Sequence, residues 1–318
     1  MTRLALPPPT GTQPTSPAGT GSEDLRAHLP AVEPDRAVSD WGRSERVEGL
    51  LDATVVSFLY HYWFRCEVEG IENVPSTGGA LLVSNHAGAL PPDASMIAKA
   101  IREEHPRPRK LHMTVEHFFK GYPFFSMLVA KMGGVPAHPA NVHRLLRDED
   151  QLVLVFPEGA KGTEKLYKDR YRLRRFGRGG FVEAAMRAGV PIVPIAVVGA
   201  EEAMPTFAHV EMLRRLTGLI YFPVTPLFPH LGLLGAAYLP AKFKLRFLEP
   251  VWPDRERSGE ASAEGEAPDR VRKASGRDSR PEPWDDKGLV QDLADDIRLR
   301  IQDELVDMVG RRRSAWLG

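Results

Sequence analysis

A histidine and an aspartate stand seven positions apart in the segment SNHAGALPPD, residues 84–93. His86 follows the apolar run Ala80–Ser84, so it falls at the carboxyl end of a predicted strand, where α/β sheets place their ligands. Asp93 precedes an apolar helical run and is typical of a helix N-cap. Singly, the two residues would be a loop histidine and a structural cap. Together they predict a general base and its orienting carboxylate, because a carboxylate bonded to one imidazole nitrogen leaves the other free to accept a proton.

A second polar strand end lies in LVLVFPEGAKG, residues 152–162. A strand that ends in glycine and a nearby lysine presents backbone N–H groups and a cation to solvent. Glu158, Gly159 and Lys161 are therefore candidates for binding a polar or anionic acceptor. The alternative is an ordinary strand-to-loop turn with a solvent-facing glutamate.

Several common catalytic motifs are missing from the sequence. It contains no G-x-S-x-G elbow, no H-E-x-x-H, no Walker loop and no G-x-G-x-x-G after a strand. The sequence therefore lacks the motifs typical of serine hydrolases, zincins, P-loop proteins and dinucleotide-binding proteins. A His/Asp pair without them suits activation of a substrate hydroxyl, which would attack an acyl thioester without a covalent enzyme intermediate.

Alternating strand and helix patterns predict an α/β domain with a central, mostly parallel or mixed sheet flanked by helices. The predicted strands are Ala80–Ser84, Leu111–Val115, Leu152–Phe156, Ile192–Val198 and Phe243–Phe247. The predicted helices between them are Ala94–Glu103, Phe118–Lys131 and Phe181–Arg187.

Composition predicts the domain boundaries and excludes some partners. We expect a disordered tail at 1–38, an acyl-transfer domain with its N-terminal amphipathic helix at 39–254, a disordered insert at 255–284 and a C-terminal amphipathic helix at 285–318. Lys plus Arg equals Asp plus Glu at 42 each, so no net field favours nucleic acid. The single cysteine fits a reducing cytosol, and no run reaches the roughly 18 apolar residues of a spanning helix.

Four further segments bear on membrane contact. The first helix carries an apolar stripe from Val47 to Tyr62 and the last one from Leu289 to Met308, and either stripe would pack on the core or lie at a lipid interface. The segment Leu216–Pro240 is apolar but broken by prolines, which stop a regular helix. With GRRRSAW at 310–316, these segments predict the lipids of a membrane surface as a partner.

Four blocks occur in the order SNHAGALPPD, GGVPAHPANVHRLL, VFPEGAKG and AGVPIVPIAVVGA. In this order they resemble the glycerolipid acyltransferase superfamily, over about Val68 to Pro250. The resemblance implies that His86 removes the proton of the acceptor hydroxyl and that Asp93 orients the histidine. It places the acceptor site at Asn85, Glu158, Gly159 and Lys161. It also implies acyl-CoA or acyl carrier protein as the acyl donor, no cofactor or metal, and a peripheral position on the cytoplasmic face of a membrane.

The chain departs from the usual pattern of that family. The usual spacing is H-x-x-x-x-D, whereas the wider NHAGALPPD resembles a branch related to mono- and diacylglycerol acyltransferases. Lys161 stands where phosphate-acceptor members carry arginine, and Arg144 is only a loose substitute for the arginine of the second block. Because bidentate phosphate recognition favours arginine, a neutral glycerolipid alcohol stays open as the acceptor beside lysophosphatidate.

A basic loop before the helix Phe181–Arg187 is a candidate for donor binding. Arg175, Arg178 and Gly179 would hold the phosphates of CoA through charge and helix N–H groups. Close helix packing with a solvated basic face is an equal alternative. Two rival functions also stay open, a non-catalytic lipid-binding protein on the same scaffold and a thioesterase in which water replaces the alcohol.

Overall fold

Seven strands form the central sheet of the computed structural model, in the order β1-β9-β6-β2-β5-β3-β4 within the part of the chain that is described. They are β1 (Glu67–Glu69), β2 (Ala80–Ser84), β3 (Leu111–Val115), β4 (Gly134–Pro136), β5 (Leu152–Val155), β6 (Ile192–Val198) and β9 (Lys244–Phe247). Neighbouring strands are parallel except for β6 and β9, which are antiparallel. The predicted α/β class with a mostly parallel, mixed sheet is confirmed.

The structure describes residues 39–88, 91–116, 123–210, 212, 223–232, 235, 237–253 and 282–317. All of them fall in one of the two units into which the chain divides, Ala37–Gly318. The predicted tail at 1–38 and nearly all of the predicted insert at 255–284 lie outside the described residues. These two boundaries stay predictions.

Helices lie between the strands and at both ends of the described chain. They are α1 (Glu45–Leu51, continued by the π-helical segments Asp52–Val56 and Phe58–Trp63), α2 (Asp93–Glu103), α3 (Pro123–Lys131), α4 (Pro139–His143, continued by the π-helical Arg144–Asp148), α5 (Ala160–Thr163), α6 (Gly180–Ala188), α7 (Ala200–Ala203) and α8 (Lys287–Arg311). A short antiparallel pair, β7 (Ala208–His209) and β8 (Pro223–Val224), lies outside the main sheet.

The central strand β2 is buried on both faces, which explains its uninterrupted apolar sequence. Leu81 and Val83 pack with α6 and α8 on one face of the sheet. Ala80 and Leu82 pack with α1 and α2 on the other. The strand therefore ends at a fixed depth between two cores, and the residues that follow it start from a rigid position.

Three of the five predicted strands have the predicted bounds, and the other two differ by one residue at one end. The edge strands β1 and β4 were not predicted, because three residues are too few to show an alternating pattern. Helix α3 begins at Pro123, and the residues from Phe118 to Tyr122 lie outside the described part of the chain.

The apolar stripe of α1 does not pack on the core as a whole. Leu50, Val55, Phe58 and Tyr62 are between 50% and 74% exposed. We call these four residues the α1 ridge. Core packing, the commoner outcome for such a stripe, is wrong for the ridge, although the neighbouring Leu59 is partly buried against the core.

The buried side of α1 is partly charged, which explains why the four residues of the α1 ridge do not face the core. Glu48 is buried and pairs with Arg43 at 2.5 Å and with Arg102. Asp52 pairs with the buried Lys99 at 2.9 Å. These ion pairs satisfy the charges, so the side of the helix that carries them faces the protein and the α1 ridge faces outward.

The last helix, α8, packs its apolar stripe into the core beside β6. Leu293, Ile297, Ile301, Leu305 and Met308 are buried, and Leu289 is partly buried. Of the three arginines in GRRRSAW, Arg312 turns inward and its guanidinium pairs with the buried Glu202 at 2.6 Å. Arg312 is therefore not part of a solvated or lipid-facing charge run, and Arg311 pairs with Asp307 at 2.8 Å. Among the described residues, none of the helices is long and apolar enough to cross a bilayer.

Candidate active site

His86 and Asp93 are in contact at the carboxyl end of β2. The His86 Nδ1 atom lies 3.1 Å from the Asp93 Oδ2 atom. The imidazole is 20% exposed, whereas the carboxylate is fully buried. Nε2 makes no hydrogen bond with any described residue, so the second imidazole nitrogen can accept a proton from a substrate.

Asp93 is the first residue of α2, and the cap position is occupied by Pro92. The expected N-cap role is wrong: the Oδ2 atom accepts a hydrogen bond from the Ala87 N–H at 3.1 Å instead of one from the helix. The carboxylate still lies at the positive end of the helix dipole, which favours its charge. Its Oδ1 atom is buried and has no hydrogen-bond partner among the described residues.

Three groups hold the His86 ring and backbone in place. The Phe156 ring stacks on the imidazole, with centroids 4.1 Å apart and planes at 20°. The His86 N–H donates to Glu158 Oε1 at 3.3 Å. At Gly162, a Cβ atom would lie 2.6 Å from the His86 carbonyl oxygen, so α5 approaches the histidine as closely as only glycine allows.

Glu158 is a buried bridge between three segments. Besides the His86 N–H, it accepts a hydrogen bond from the Arg174 N–H at 2.7 Å. The Lys165 ammonium lies 3.5 Å from the same carboxylate. The alternative of a solvent-facing glutamate is wrong, since the Glu158 side chain is fully buried.

Asn85 joins the strand end to its neighbour. Its amide donates to the Val197 carbonyl at 2.9 Å and accepts from the Val197 N–H at 2.8 Å. This pair of bonds continues the β2–β6 pairing by one residue and holds the chain just before His86. The predicted acceptor-site residue is thus buried and has its amide occupied by the backbone.

Gly159 and Lys161 lie on the surface side of the same loop. Gly159 has φ 56° and ψ −149°, a conformation that glycine alone adopts readily. A Cβ atom there would lie 2.6 Å from Glu116 Oε1. Lys161 is exposed and makes no hydrogen bond or ion pair with any described residue, so its charge is available to a ligand.

Comparison with known proteins agrees with this geometry. A family model described as acyltransferase matches residues 65–198. This span includes the His86–Asp93 dyad and the FPEG loop, Phe156–Gly159. An uncharacterized protein of Mycobacterium leprae is 39% identical over 284 residues, which cover 89% of this chain and 71% of that protein. The chain belongs to the acyltransferase family that this model describes.

Two weaker matches to this acyltransferase carry functional names. The DGAT1/2-independent enzyme synthesizing storage lipids of Gallus gallus is 29% identical over 192 residues, 59% of this chain and 53% of that protein. The solved structure of the 1-acyl-sn-glycerophosphate (LPA) acyltransferase PlsC from Thermotoga maritima has a TM-score of 0.46 and 16% identity, and the match covers 84% of this chain and 80% of that one.

Arg144 of the acyltransferase lies in a separate surface cluster. Its guanidinium pairs with Asp40 at 3.0 Å and with Glu149 at 2.8 Å. It also stacks over the Trp41 ring at 4.7 Å from the centroid. None of these contacts involves the dyad or the FPEG loop, so the structure does not bring Arg144 to the predicted acceptor site.

The candidate donor residues lie against α8. Gly179 has φ 77°, and a Cβ atom there would lie 2.6 Å from Val290 Cγ1 and 2.8 Å from the Val290 carbonyl oxygen. Arg175 donates to Gln291 on the same helix at 2.9 Å. Arg178 is exposed. Close helix packing, one of the two predicted alternatives, accounts for the glycine.

We expect Gly179→Ala to lower the free energy of unfolding by about 1–3 kcal/mol, because the left-handed backbone is strained for alanine and the new methyl meets Val290. Chemical denaturation measures the loss. The same variant should leave the KM for the acyl donor unchanged. If the variant instead kept full stability and had a raised KM for the acyl donor, Gly179 would be assigned to the donor-binding site.

Four residues of this region were not singled out from the sequence. Phe156 is the first residue of FPEG and Gly162 lies three positions after its glycine, and both were visible in the quoted blocks as an aromatic strand end and a second glycine. Lys165 stood in a basic segment whose sequence gave no indication that this lysine is buried. The pKa of Tyr238 is raised by burial first and by the charge of Asp93 second, which places this tyrosine within electrostatic range of the dyad.

Proposed function

We propose that this acyltransferase moves a fatty acyl group from an acyl thioester to the hydroxyl of a glycerolipid, with His86 as general base and Asp93 as its orienter. The observation that carries this proposal is the dyad itself. A buried carboxylate contacts Nδ1, while Nε2 is unpaired among the described residues on a partly exposed ring. This is the arrangement that a base needs to reach a substrate hydroxyl.

The reaction follows from that geometry. With Nδ1 protonated and donating to Asp93, Nε2 takes the proton of the acceptor hydroxyl as its oxygen attacks the thioester carbonyl. The tetrahedral intermediate collapses with loss of the thiolate, and the imidazolium returns the proton to the sulfur. An ester C–O bond forms, a C–S bond breaks and the histidine is regenerated. Asp93 stabilises the transient imidazolium.

A neutral glycerolipid alcohol is the acceptor that the charges around the site favour. Lys161 is an exposed lysine, and Lys165 lies between the carboxylates of Glu158 and Glu201 at 3.5 and 3.1 Å. Phosphate recognition usually draws on arginine or on clustered cations. The avian relative's name, an enzyme synthesizing storage lipids, agrees with a neutral acceptor.

A membrane surface is the proposed partner, and the predicted lipid-contact segments meet at one end of the molecule. Trp63 donates from Nε1 to the Tyr238 carbonyl at 3.0 Å. Arg65 donates to the Pro240 carbonyl at 3.0 Å and to the Trp316 carbonyl. The end of α1, the end of the proline-broken segment and the C-terminal aromatic are thus adjacent, which supports peripheral binding to a membrane surface. Residues 216–222, 233, 234 and 236 of the proline-broken segment lie outside the described part of the chain.

We expect the double variant Phe58→Ser/Tyr62→Ser to bind vesicles at least tenfold more weakly, because both exposed rings would be withdrawn from the bilayer interface. Vesicle flotation measures the change. The matched control is Leu299→Ser/Val306→Ser, which removes two exposed apolar side chains from α8. If both double variants floated with vesicles as the parent does, the α1 ridge would not be part of the membrane-binding surface. Binding by the parent should weaken with salt but persist in part, since only the charge interaction is screened.

The acyl-transfer proposal is tested by incubating the purified protein with labelled acyl-CoA, or with acyl carrier protein loaded with the same chain, and a panel of glycerolipid alcohols. Ester product with a preferred acceptor supports the proposal. Free fatty acid as the sole product would assign the protein as a thioesterase. Acceptor binding without either product would assign it as a non-catalytic lipid-binding protein.

A further inference from the structure

A small cavity adjoins the loop that follows His86. Gly88, Lys165, Glu201 and Thr206 line it, with Tyr167 at its side, and its interior has room for about one water-sized group. Gly88 stands two positions after the histidine. Glu158 links the two places, because it accepts the His86 N–H and lies 3.5 Å from the Lys165 ammonium.

Three buried polar atoms in the cavity lack hydrogen-bond partners among the described residues. They are Lys165 Nζ, Glu201 Oε1 and Thr206 Oγ1, each on a residue that is more than nine-tenths buried. Lys165 Nζ and Glu201 Oε1 form an ion pair 3.1 Å apart, so of these three atoms Thr206 Oγ1 is the one without a polar partner among the described residues. Buried polar atoms are normally hydrogen-bonded, so an unpaired hydroxyl beside a buried ion pair at one cavity indicates a polar group that fits between them.

The charges of the cavity favour a neutral group over an anion. The Lys165 ammonium is offset by two carboxylates, Glu158 and Glu201. Burial raises the pKa of the Glu201 carboxyl to about 7, although Lys165 acts in the opposite direction. The site therefore has no excess positive charge near neutral pH. It presents a strong donor, an acceptor and a hydroxyl, which together match an alcohol that both donates and accepts.

We propose that this cavity binds a second, unreacted hydroxyl of a neutral acceptor headgroup, as found in a monoacylglycerol. The inference rests on the proposed function, since it assigns the orientation of the acceptor whose other hydroxyl meets His86. Lys165 and Thr206 donate to the bound hydroxyl, and Glu201 accepts from it. Thr206 is thus a specificity-determining residue for acceptors that carry more than one hydroxyl.

The test compares Thr206→Val with the parent on two acceptors, a monoacylglycerol and a long-chain primary alcohol that has only the reacting hydroxyl. Valine keeps the shape of threonine and removes a hydroxyl that is unpartnered in the unliganded protein, so thermal stability should be unchanged or higher. We expect the KM for the monoacylglycerol to rise about 3- to 10-fold, the loss of one hydrogen bond, with no change for the alcohol. Thr206→Ser, which retains the hydroxyl, should restore the parent's preference.

The matched control is Thr114→Val, in β3, where the removed hydroxyl bonds to the Leu154 carbonyl and not to the cavity. It should leave the ratio of the two KM values unchanged. An equal change for both acceptors in Thr206→Val, or none for either, would overturn the subsite.

Direct binding separates this inference from the proposed function. Calorimetry with a soluble short-chain monoacylglycerol is run on the parent and on Thr206→Val. If the parent forms no ester with any acceptor but binds this probe 3- to 10-fold more tightly than the variant does, the proposed function fails and the subsite stands. Equal binding, or no binding by the parent, overturns the subsite.

Discussion

Replacing His86 with alanine is expected to lower the rate of ester formation by about 10²–10⁴-fold, the usual contribution of a general base. The ring is partly exposed and stacks on Phe156, so its loss should leave the sheet and both cores intact. Asp93→Asn should lose less activity, because Nε2 remains in place while its orientation weakens. Steady-state kinetics with a saturating donor measure both losses.

A matched control for this prediction is His143→Ala. His143 is a half-buried histidine at the end of α4 that belongs to neither the dyad nor the FPEG loop. It should retain the activity of the parent. Full turnover in His86→Ala would show that another group takes the proton and would end the proposed mechanism.

Gly162→Ala is expected to lower kcat/KM about 100-fold although position 162 bears no reactive group. The new Cβ atom would lie 2.6 Å from the His86 carbonyl oxygen and 3.2 Å from the His86 Cβ atom. Either α5 or the histidine must move, and a misplacement of about 1 Å costs about this much in rate. Kinetics of the variant, with circular dichroism to verify the fold, measure the effect.

Gly180→Ala provides the comparison for Gly162. A Cβ atom at Gly180 meets nothing within 4 Å, and the residue begins helix α6. Alanine there should leave kcat/KM unchanged and add slightly to helix stability. If Gly162→Ala were as active as Gly180→Ala, the close approach of α5 would have no part in positioning His86.

The sequence by itself determined five of the seven strands of the sheet, together with the dyad. Continuous apolar runs such as Ala80–Ser84 are typical of strands buried on both faces, and the structure places them so. His86 and Asp93 were predicted to meet because one follows a strand and the other begins the next helix. Six residues, two of them prolines, lie between His86 and Asp93. Because proline restricts the backbone, few conformations join the strand to the helix, and the contact between the two side chains was predictable from the local sequence.

Tertiary structure decided which way α1 faces. Its apolar residues have helical spacing, and spacing alone indicates that they face the core. The partners that bury its other side, Lys99 and Arg102, lie on α2, far along the chain from Glu48 and Asp52. Ion pairs between distant residues leave no periodic signal in either segment, so the outward direction of the α1 ridge became evident only in the fold.

The polar residues beside the dyad were also assigned by the fold and not by their motif. Glu158 belongs to a block expected to contact the acceptor, yet its carboxylate is buried against the His86 and Arg174 N–H groups. Lys165, from a run of surface-type charges, lies between Glu158 and Glu201, a residue distant in sequence. Residue type and spacing predict which groups are able to do chemistry. Whether a charge is buried, paired or open to a ligand depends on contacts between distant segments, and these exist only once the sheet has brought β2, β5 and β6 side by side.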